Sequence, residues 1–391
     1  MRGKPVTDAD LRGMRFDPAV LGRMDAAAGG VAGVIARALQ ERRPVLVRYN
    51  NDADGICGGL AVYRAALGVA RALGIEPREV LREYQNNGAI YTEEYAGGDV
   101  LLLRGVSDEK PLVVLVDFGA NPESIPGLKL ARGEGCSIAI IDHHPYSEQA
   151  VQLAEAFVSP WAVAGGTSDY TAGFVAGEVA KKLLPGIDVR ELQGIALAGD
   201  RSKLFKASRE LLDKALALDY LADTAYPRNT LAKCEALLAD SKKLAESYGE
   251  ANGKLSDAVR QAKATLKVRP LANGIVYATL DTSKLERTGP FPPNGKVVSF
   301  VHDDVAANES RPVVTIGRGR SDALSFRANT AARTAGFNAS RFIEEMKKAL
   351  PNAIESGGGH DVAASMRVRR GLVKFVLGEV EKKLEGEQLK R

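Results

Sequence analysis

Between residues 45 and 141 the chain repeats one hydrophobic pattern: a short, nearly unbroken apolar run, a turn carrying glycine or acid, then a longer stretch with apolar positions spaced for a helix. The runs fall at 45–49, 80–84, 100–103, 112–116 and 137–141. Strands buried on both faces read this way, without alternation. The stretch 55–73, rich in Ala and Leu, follows the first run as a helix. Alternating strands and helices predict an α/β fold with a mostly parallel sheet, covered on both faces and binding ligands at the carboxyl ends of its strands.

The pattern changes on either side of this block. Residues 1–40 read as short helical segments, clearest at 25–39, and the strand-and-helix block extends over 41–205. Residues 206–268 are rich in Ala, Leu, Lys and Glu and poor in strand runs, which predicts a helical connector, broken near Tyr226 and Pro227. Apolar runs return at 275–280, 296–301, 313–317 and 323–326. A helix at 340–350, a turn at the triple glycine 357–359, a strand at 362–368 and a helix at 372–384 follow. Residues 269–391 are therefore expected to form a second, smaller α/β domain.

Apolar residues make up 45% and charged residues 26% of the 391 positions, which suits a folded chain of two or three domains and argues against general disorder. No apolar run reaches the roughly 18–20 residues of a membrane span, and no signal-peptide core opens the chain. The expectation is a cytoplasmic protein without membrane attachment. Cys57, Cys136 and Cys234 share no CxxC spacing, so neither a zinc knuckle nor a disulfide framework is indicated. A net charge of +4 permits a polyanionic partner without requiring one.

The candidate chemistry lies at the ends of the apolar runs. Asn50-Asn51-Asp52-Ala53-Asp54-Gly55 follows the first, Asp117 the fourth, and Asp142-His143-His144 the fifth, while Asp200 closes a later apolar stretch. Singly, each Asp has an ordinary reading as a cap or turn former. Five acids at successive element ends are hard to explain by capping alone. Phosphodiester hydrolysis needs a barrier lowered by about 20 kcal/mol, which paired metals supply. Asp52 and Asp54 can reach two ions roughly 3.5–4 Å apart, with Asp117 placed to bridge. Near the C-terminus, 357–359 and His360 can offer backbone amides and a donor to phosphate. Trp161 and Phe326 have the makings of base-stacking groups, although core packing is the commoner fate. His302 is expected at a strand end without chemical role, and the segment 167–173 as a loop entering a helix whose N-terminal amides suit an anion.

In order, Asp-x-Asp-Gly, strand-Asp, Asp-His-His, Gly-Asp and a distal Gly-Gly-Gly-His resemble the DHH phosphoesterase superfamily, with its catalytic domain and C-terminal DHH-associated domain. The long form with a helical connector is most similar to RecJ-like single-strand exonucleases of archaeal type. This resemblance covers residues 45–384 apart from the connector. It implies metal ligands at Asp52, Asp54, Asp117, His143 and Asp200, with two divalent ions, Mn²⁺ first and Mg²⁺ as the alternative. It further implies that His144 contacts the scissile phosphate, that Asp142 orients the histidine pair, and that Gly357, Gly358, Gly359 and His360 bind substrate. Arg318 and Arg327 stand where the associated domain would clamp phosphate. Asn50 occupies a position where the resemblance implies a stronger ligand such as imidazole, which opens its own ligation to question.

The implied activity is release of mononucleotides from single-stranded DNA or RNA threaded between the two domains. Two alternatives stand beside it: a phosphodiesterase for small substrates (an oligoribonucleotide, a cyclic dinucleotide or bisphosphorylated adenosine), and a weakly active replication or repair scaffold binding a helicase or GINS-type partner. Strand polarity, DNA or RNA preference and oligomeric state are not legible.

Overall fold

The computed structural model of the chain describes residues 15–106, 109–286 and 288–387. Expectations for the segment before residue 15 lie outside them. The chain divides into two compact units, Met1–Gly249 and Glu250–Arg391.

In the first unit, α1 (Pro18–Gln40) precedes β1 (Val45–Asn50), α2 (Ala53–Ala72), α3 (Pro77–Val80), β2 (Leu81–Asn86) and α4 (Glu93–Arg104). Next come β3 (Leu112–Val116), α5 (Ile125–Gly133), β4 (Ser137–Ile141), α6 (Glu148–Val151) and β5 (Ala156–Val158). Four helices complete it: α7 (Ala172–Leu183), α8 (Arg190–Gly199), α9 (Arg209–Thr224) and α10 (Leu231–Ala239). The sheet has the order β2-β1-β3-β4-β5 and every pairing is parallel. Strand order reverses direction between β1 and β3, and ligands of open parallel sheets bind outside the carboxyl ends at such a point.

Alternate strand residues feed two cores. Val45, Val47, Tyr49, Val114, Val116 and Ile141 pack with α1, α2, α7 and α8 on one face. Leu46, Val113, Leu115, Ile138 and Ile140 pack with α4 and α5 on the other. Arg48 intrudes on the second face, where its guanidinium donates to Asp99 (Nε to Oδ2 2.8 Å) and lies over Tyr84 and Tyr95. Tyr91 Oη also donates to Asp99 at 2.9 Å. A buried pair of this kind is costly to break by removing one partner.

Four expectations are corrected. The run 100–103 lies inside α4, not a strand: Val100 and Leu103 are buried while Leu101 is 73% exposed. A short apolar run does not distinguish helix from strand, and Thr92, whose Oγ1 accepts from Tyr95 N at 3.3 Å, is the cap that marks the helix. Likewise 296–301 is helical, and His302 sits within that helix, its Nδ1 2.8 Å from Thr315 Oγ1. The glycines 357–359 finish a strand. Finally, α9 and α10, inside the expected connector, pack Leu211, Leu218, Leu231 and Cys234 into the first unit's core.

The long α1 is apolar enough to cross a membrane by length and composition. Val31, Ile35 and Leu39 on it are fully buried in the first core.

The boundary between units falls within α11 (Ser241–Lys263). The second unit holds β6 (Lys267–Pro270), β7 (Val276–Asp281), α12 (Asn294–Ala306), β8 (Val313–Arg318) and β9 (Ala323–Ala328). It ends with α13 (Thr330–Thr334), α14 (Ala339–Ala349), β10 (Ile354–Gly359), β11 (Ala363–Val368) and α15 (Val373–Gly386). Its sheet runs β10-β11-β9-β8-β7-β6, with β7 and β8 parallel and the other pairs antiparallel. Phe326, Phe337, Phe342 and Ile343 centre its core, so Phe326 is a packing residue.

Candidate metal centre

Strand ends at the reversal point deliver the first motif. Asn50 is the last residue of β1, and Asp52 caps α2, its Oδ1 accepting from Gly55 N at 2.9 Å. Asp54 is thereby turned inward on the first helical turn and is buried. Both its oxygens accept from the N-terminus of α7, from Ala172 N at 2.8 Å and Gly173 N at 2.9 Å. The loop 167–173 thus spends these amides on a carboxylate of the protein, which corrects the expectation that they face a substrate anion. Gly173 is required by this closeness, since a Cβ there would lie 2.9 Å from Asp54 Oδ1 and 2.6 Å from Ala196 Cβ.

Asp117 follows β3 with φ at 69°, a left-handed conformation that costs a non-glycine residue energy and marks sites where geometry is imposed. Its backbone N donates to Ile141 O at 2.8 Å. Asp142 and His143 follow β4 and are buried. Asp142 Oδ1 accepts from His144 Nδ1 at 2.8 Å and His144 N at 3.1 Å, while Oδ2 accepts from Ala120 N at 3.2 Å. The His143 Nδ1–H donates to the Ser168 carbonyl at 2.9 Å, which directs Nε2 into the acids. Nε2 stands 3.2 Å from Asp117 Oδ1, 3.3 Å from Asp200 Oδ2 and 3.7 Å from Asp54 Oδ2. Asp200 reaches this point from the C-terminal end of α8.

The electrostatics are those of a site built around positive charge. Burial, then repulsion from Asp200, pushes the Asp52 carboxyl up to about 6. Burial and repulsion from Asp54 do the same to Asp200, also to about 6. Asp117 is driven well above the carboxylate range by burial and by Asp52 and Asp54. Burial opposes protonation of His143, but the close Asp117 carboxylate and the charges of Asp200 and Asp54 outweigh it and hold the imidazole well above its ordinary value. In Asp142 burial raises the carboxyl, and His144 more than offsets this to hold it low.

The residues fit divalent metal. Asp54, His143 and Asp200 place ligand atoms within 4.8 Å of one another, as do Asp117, Asp142 and His144. Asp117 Oδ1 and Asn50 Oδ1 are buried without a donor in hydrogen-bond geometry. Oxygen-rich donors with one imidazole suit Mn²⁺ or Mg²⁺.

Three supporting roles escaped the sequence reading. Asp219, in α9, accepts from Ala53 N at 2.9 Å and so pins the loop between Asp52 and Asp54. Ser168 supplies the carbonyl that orients His143. Trp161 is 37% exposed rather than core, and its Nε1–H donates to His143 O at 2.9 Å and Ser168 Oγ at 3.1 Å. No spacing rule points to a distant helical Asp or to a backbone carbonyl.

In the second unit, Gly357 pairs with Met366, and a Cβ on it would come within 2.7 Å of Met366 Cβ, so packing explains that glycine. A Cβ on Gly358 would meet nothing within 4 Å. His360 N donates to Ala363 O at 2.7 Å. Arg318 lies 3.6 Å from Asp322, and its buried Nε has no hydrogen-bond partner among the described residues. Arg327 is committed locally: to Ser299 Oγ at 2.7 Å, Phe326 O at 2.7 Å and Gly295 O at 3.0 Å.

Residues 44–199 match the family described as DHH family, N-terminal domain. An uncharacterized protein, MJ1198 of Methanocaldococcus jannaschii, is 27% identical over 92% of this chain. The chain spans 54% of that relative's length. Among solved structures, one described as a member of the s1p family of ribosomal proteins, PF0399 DHH domain, is 25% identical with a TM-score of 0.84, covering 98% of this chain and 97% of that one. RecJ of Thermus thermophilus, in complex with Mn²⁺, is 18% identical with a TM-score of 0.60, covering 92% of this chain and 55% of its own. CDC45 of Entamoeba histolytica is 10% identical with a TM-score of 0.52, covering 92% and 99%. Residues 44–199 thus carry a DHH-family N-terminal domain, and the chain has a RecJ-like fold, with a site that supports a metal-dependent phosphoesterase.

Proposed function

We propose that the chain is an exonuclease that releases mononucleotides from single-stranded DNA or RNA. The observation that carries this reading is the convergence of Asp54, Asp117 and Asp200 on the directed Nε2 of His143. Divalent ions, Mn²⁺ before Mg²⁺, would be held by Asp52, Asp54, Asp117, His143 and Asp200, and when bound would supply Lewis acidity and an activated water.

The chain's own groups do the rest. Asp142 holds His144 through Nδ1, which leaves the far edge of the ring to contact a phosphate oxygen. Asp219, Ser168 and Trp161 keep the ligand loops from shifting. In the second unit, Gly358 and His360 are the proposed phosphate contacts, with Arg318 supplying a guanidinium whose Nε lacks an acceptor among the described residues. Arg327 supports α12 and contributes to substrate only if it leaves its three local acceptors.

The fold shared with CDC45 favours a second reading, a weakly active scaffold that binds a helicase or GINS-type partner. Digestion of end-labelled single strands of graded length with Mn²⁺ decides between them. The exonuclease reading predicts stepwise mononucleotide release that persists on long strands. Cleavage confined to dinucleotides indicates a small-substrate phosphodiesterase, and no cleavage at any length leaves the scaffold.

A further inference from the structure

Asn50 is buried between two of the acids, its relative exposure being 7%. Its Nδ2 donates to Asp52 Oδ2 at 2.9 Å and to Asp117 Oδ2 at 3.0 Å, spending both amide protons. Its Oδ1 has no hydrogen-bond partner. The other oxygen of Asp52 is taken by Gly55 N. Among the described residues, the ligand atoms of Asp54, His143 and Asp200 cluster without Asp52, and Asp117 Oδ1 approaches His143 Nε2 of that cluster at 3.2 Å.

We propose that Asn50 makes this centre unequal, so that the protein holds one divalent ion tightly on Asp54, Asp117, His143 and Asp200 and a second only weakly beside Asp52. The carboxamide already provides positive hydrogen-bond density between Asp52 and Asp117, where a second ion would be shared. To ligate that ion the amide must turn Oδ1 inward and give up both donated bonds, and it then offers a neutral oxygen where a carboxylate would offer charge. Affinity at oxygen sites follows the count of ligand charges. This inference rests on the metal-dependent reading of the site but not on any substrate.

The test is Mn²⁺ titration of chelated protein by calorimetry, with electron paramagnetic resonance to tell isolated ions from coupled pairs. The native chain is expected to take up one ion tightly and show an isolated-ion spectrum. Asn50→Asp is expected to tighten the second ion by at least about tenfold and to show a coupled pair. Asn50→Ala, which adds no charge, should keep one tight ion and gain none, and it serves if Asn50→Asp fails to fold. Two equally tight ions in the native protein, or a second site unmoved by Asn50→Asp, would overturn the proposal, as would the absence of any tight ion. Failure of the phosphodiesterase reading looks different: one tight ion and no cleavage of any phosphodiester, which leaves the stoichiometry standing.

Discussion

Without metal, the acids of the centre repel one another in a buried site, and the protein is predicted to lose stability as pH rises through the weakly acidic range. Asp52 and Asp200 are the measurable part, each moved from the usual 3.8 to about 6 by burial first and then by a neighbouring acid. Between those values the folded chain binds more protons than the unfolded chain, and stability falls with pH wherever that holds. The contribution is therefore intact below about pH 4 and gone by about pH 7. A shift of about two units, at about 1.4 kcal/mol each, is worth about 3 kcal/mol. Asp200 keeps 28% of its side chain exposed, which roughly halves its share and brings the coupled pair to about 4 kcal/mol. His143 acts in the same sense, because its raised folded value means a stabilising proton is lost as pH climbs. About half of the pair's contribution is already lost by pH 5, which leaves about 2 kcal/mol to be lost above it. For a unit of this size about 1 kcal/mol moves Tm by about 2–4 °C, so chelated protein should melt about 4–8 °C lower near pH 7.5 than near pH 5. Scanning calorimetry measures this directly. Asp200→Asn should flatten the slope, and saturating Mn²⁺ should restore Tm at neutral pH. A Tm that stays level or climbs over that interval in the chelated native protein would refute the electrostatic reading.

Substitutions at four positions, one of them with a second-site change, probe the surrounding frame. Arg48→Met leaves Asp99 buried with its guanidinium partner gone, and urea denaturation should show a loss of about 3–5 kcal/mol, largely recovered when Asp99→Leu is added. Trp161→Phe removes the donor to His143 O and Ser168 Oγ. Mn²⁺ affinity should fall about tenfold by calorimetric titration with the fold intact, and an unchanged affinity denies Trp161 that positioning role. Gly357→Ala should lower Tm because of the 2.7 Å approach to Met366, whereas Gly358→Ala, with open space, should leave Tm unchanged and weaken single-strand binding in a fluorescence-anisotropy titration. Equal binding by Gly358→Ala and native protein removes Gly358 from the substrate contacts.

Much of the fold was legible because its strands are buried on both faces. The runs at 45–49, 112–116 and 137–141 appear as β1, β3 and β4, and the acids after them meet because parallel strands end at one edge. What failed were runs whose period was hidden by adjacent apolar residues: 100–103 and 296–301 bury only part of their apolar surface as helices, leaving Leu101 and Phe300 outward. The short β5 was missed, as its three residues carry too little pattern. Within the site, metal-ligating residue types announce themselves, but the groups that hold them do not. Asp219 acts from a helix 166 positions away from its partner Ala53, and Ser168 acts through its backbone, which no side-chain motif encodes. The role of Asn50 emerges only in the fold, because its sequence position shows a departure and its two donated bonds show what the amide does.

The most direct test of the account is incubation of end-labelled single-stranded DNA and RNA with native protein and Asp117→Ala, each with Mn²⁺ and with chelator. Mononucleotides released by the native chain with Mn²⁺ alone, and lost in Asp117→Ala and in chelator, are the predicted result. Release that survives chelation or the loss of Asp117, or no release under any condition from protein shown to bind Mn²⁺, would contradict it.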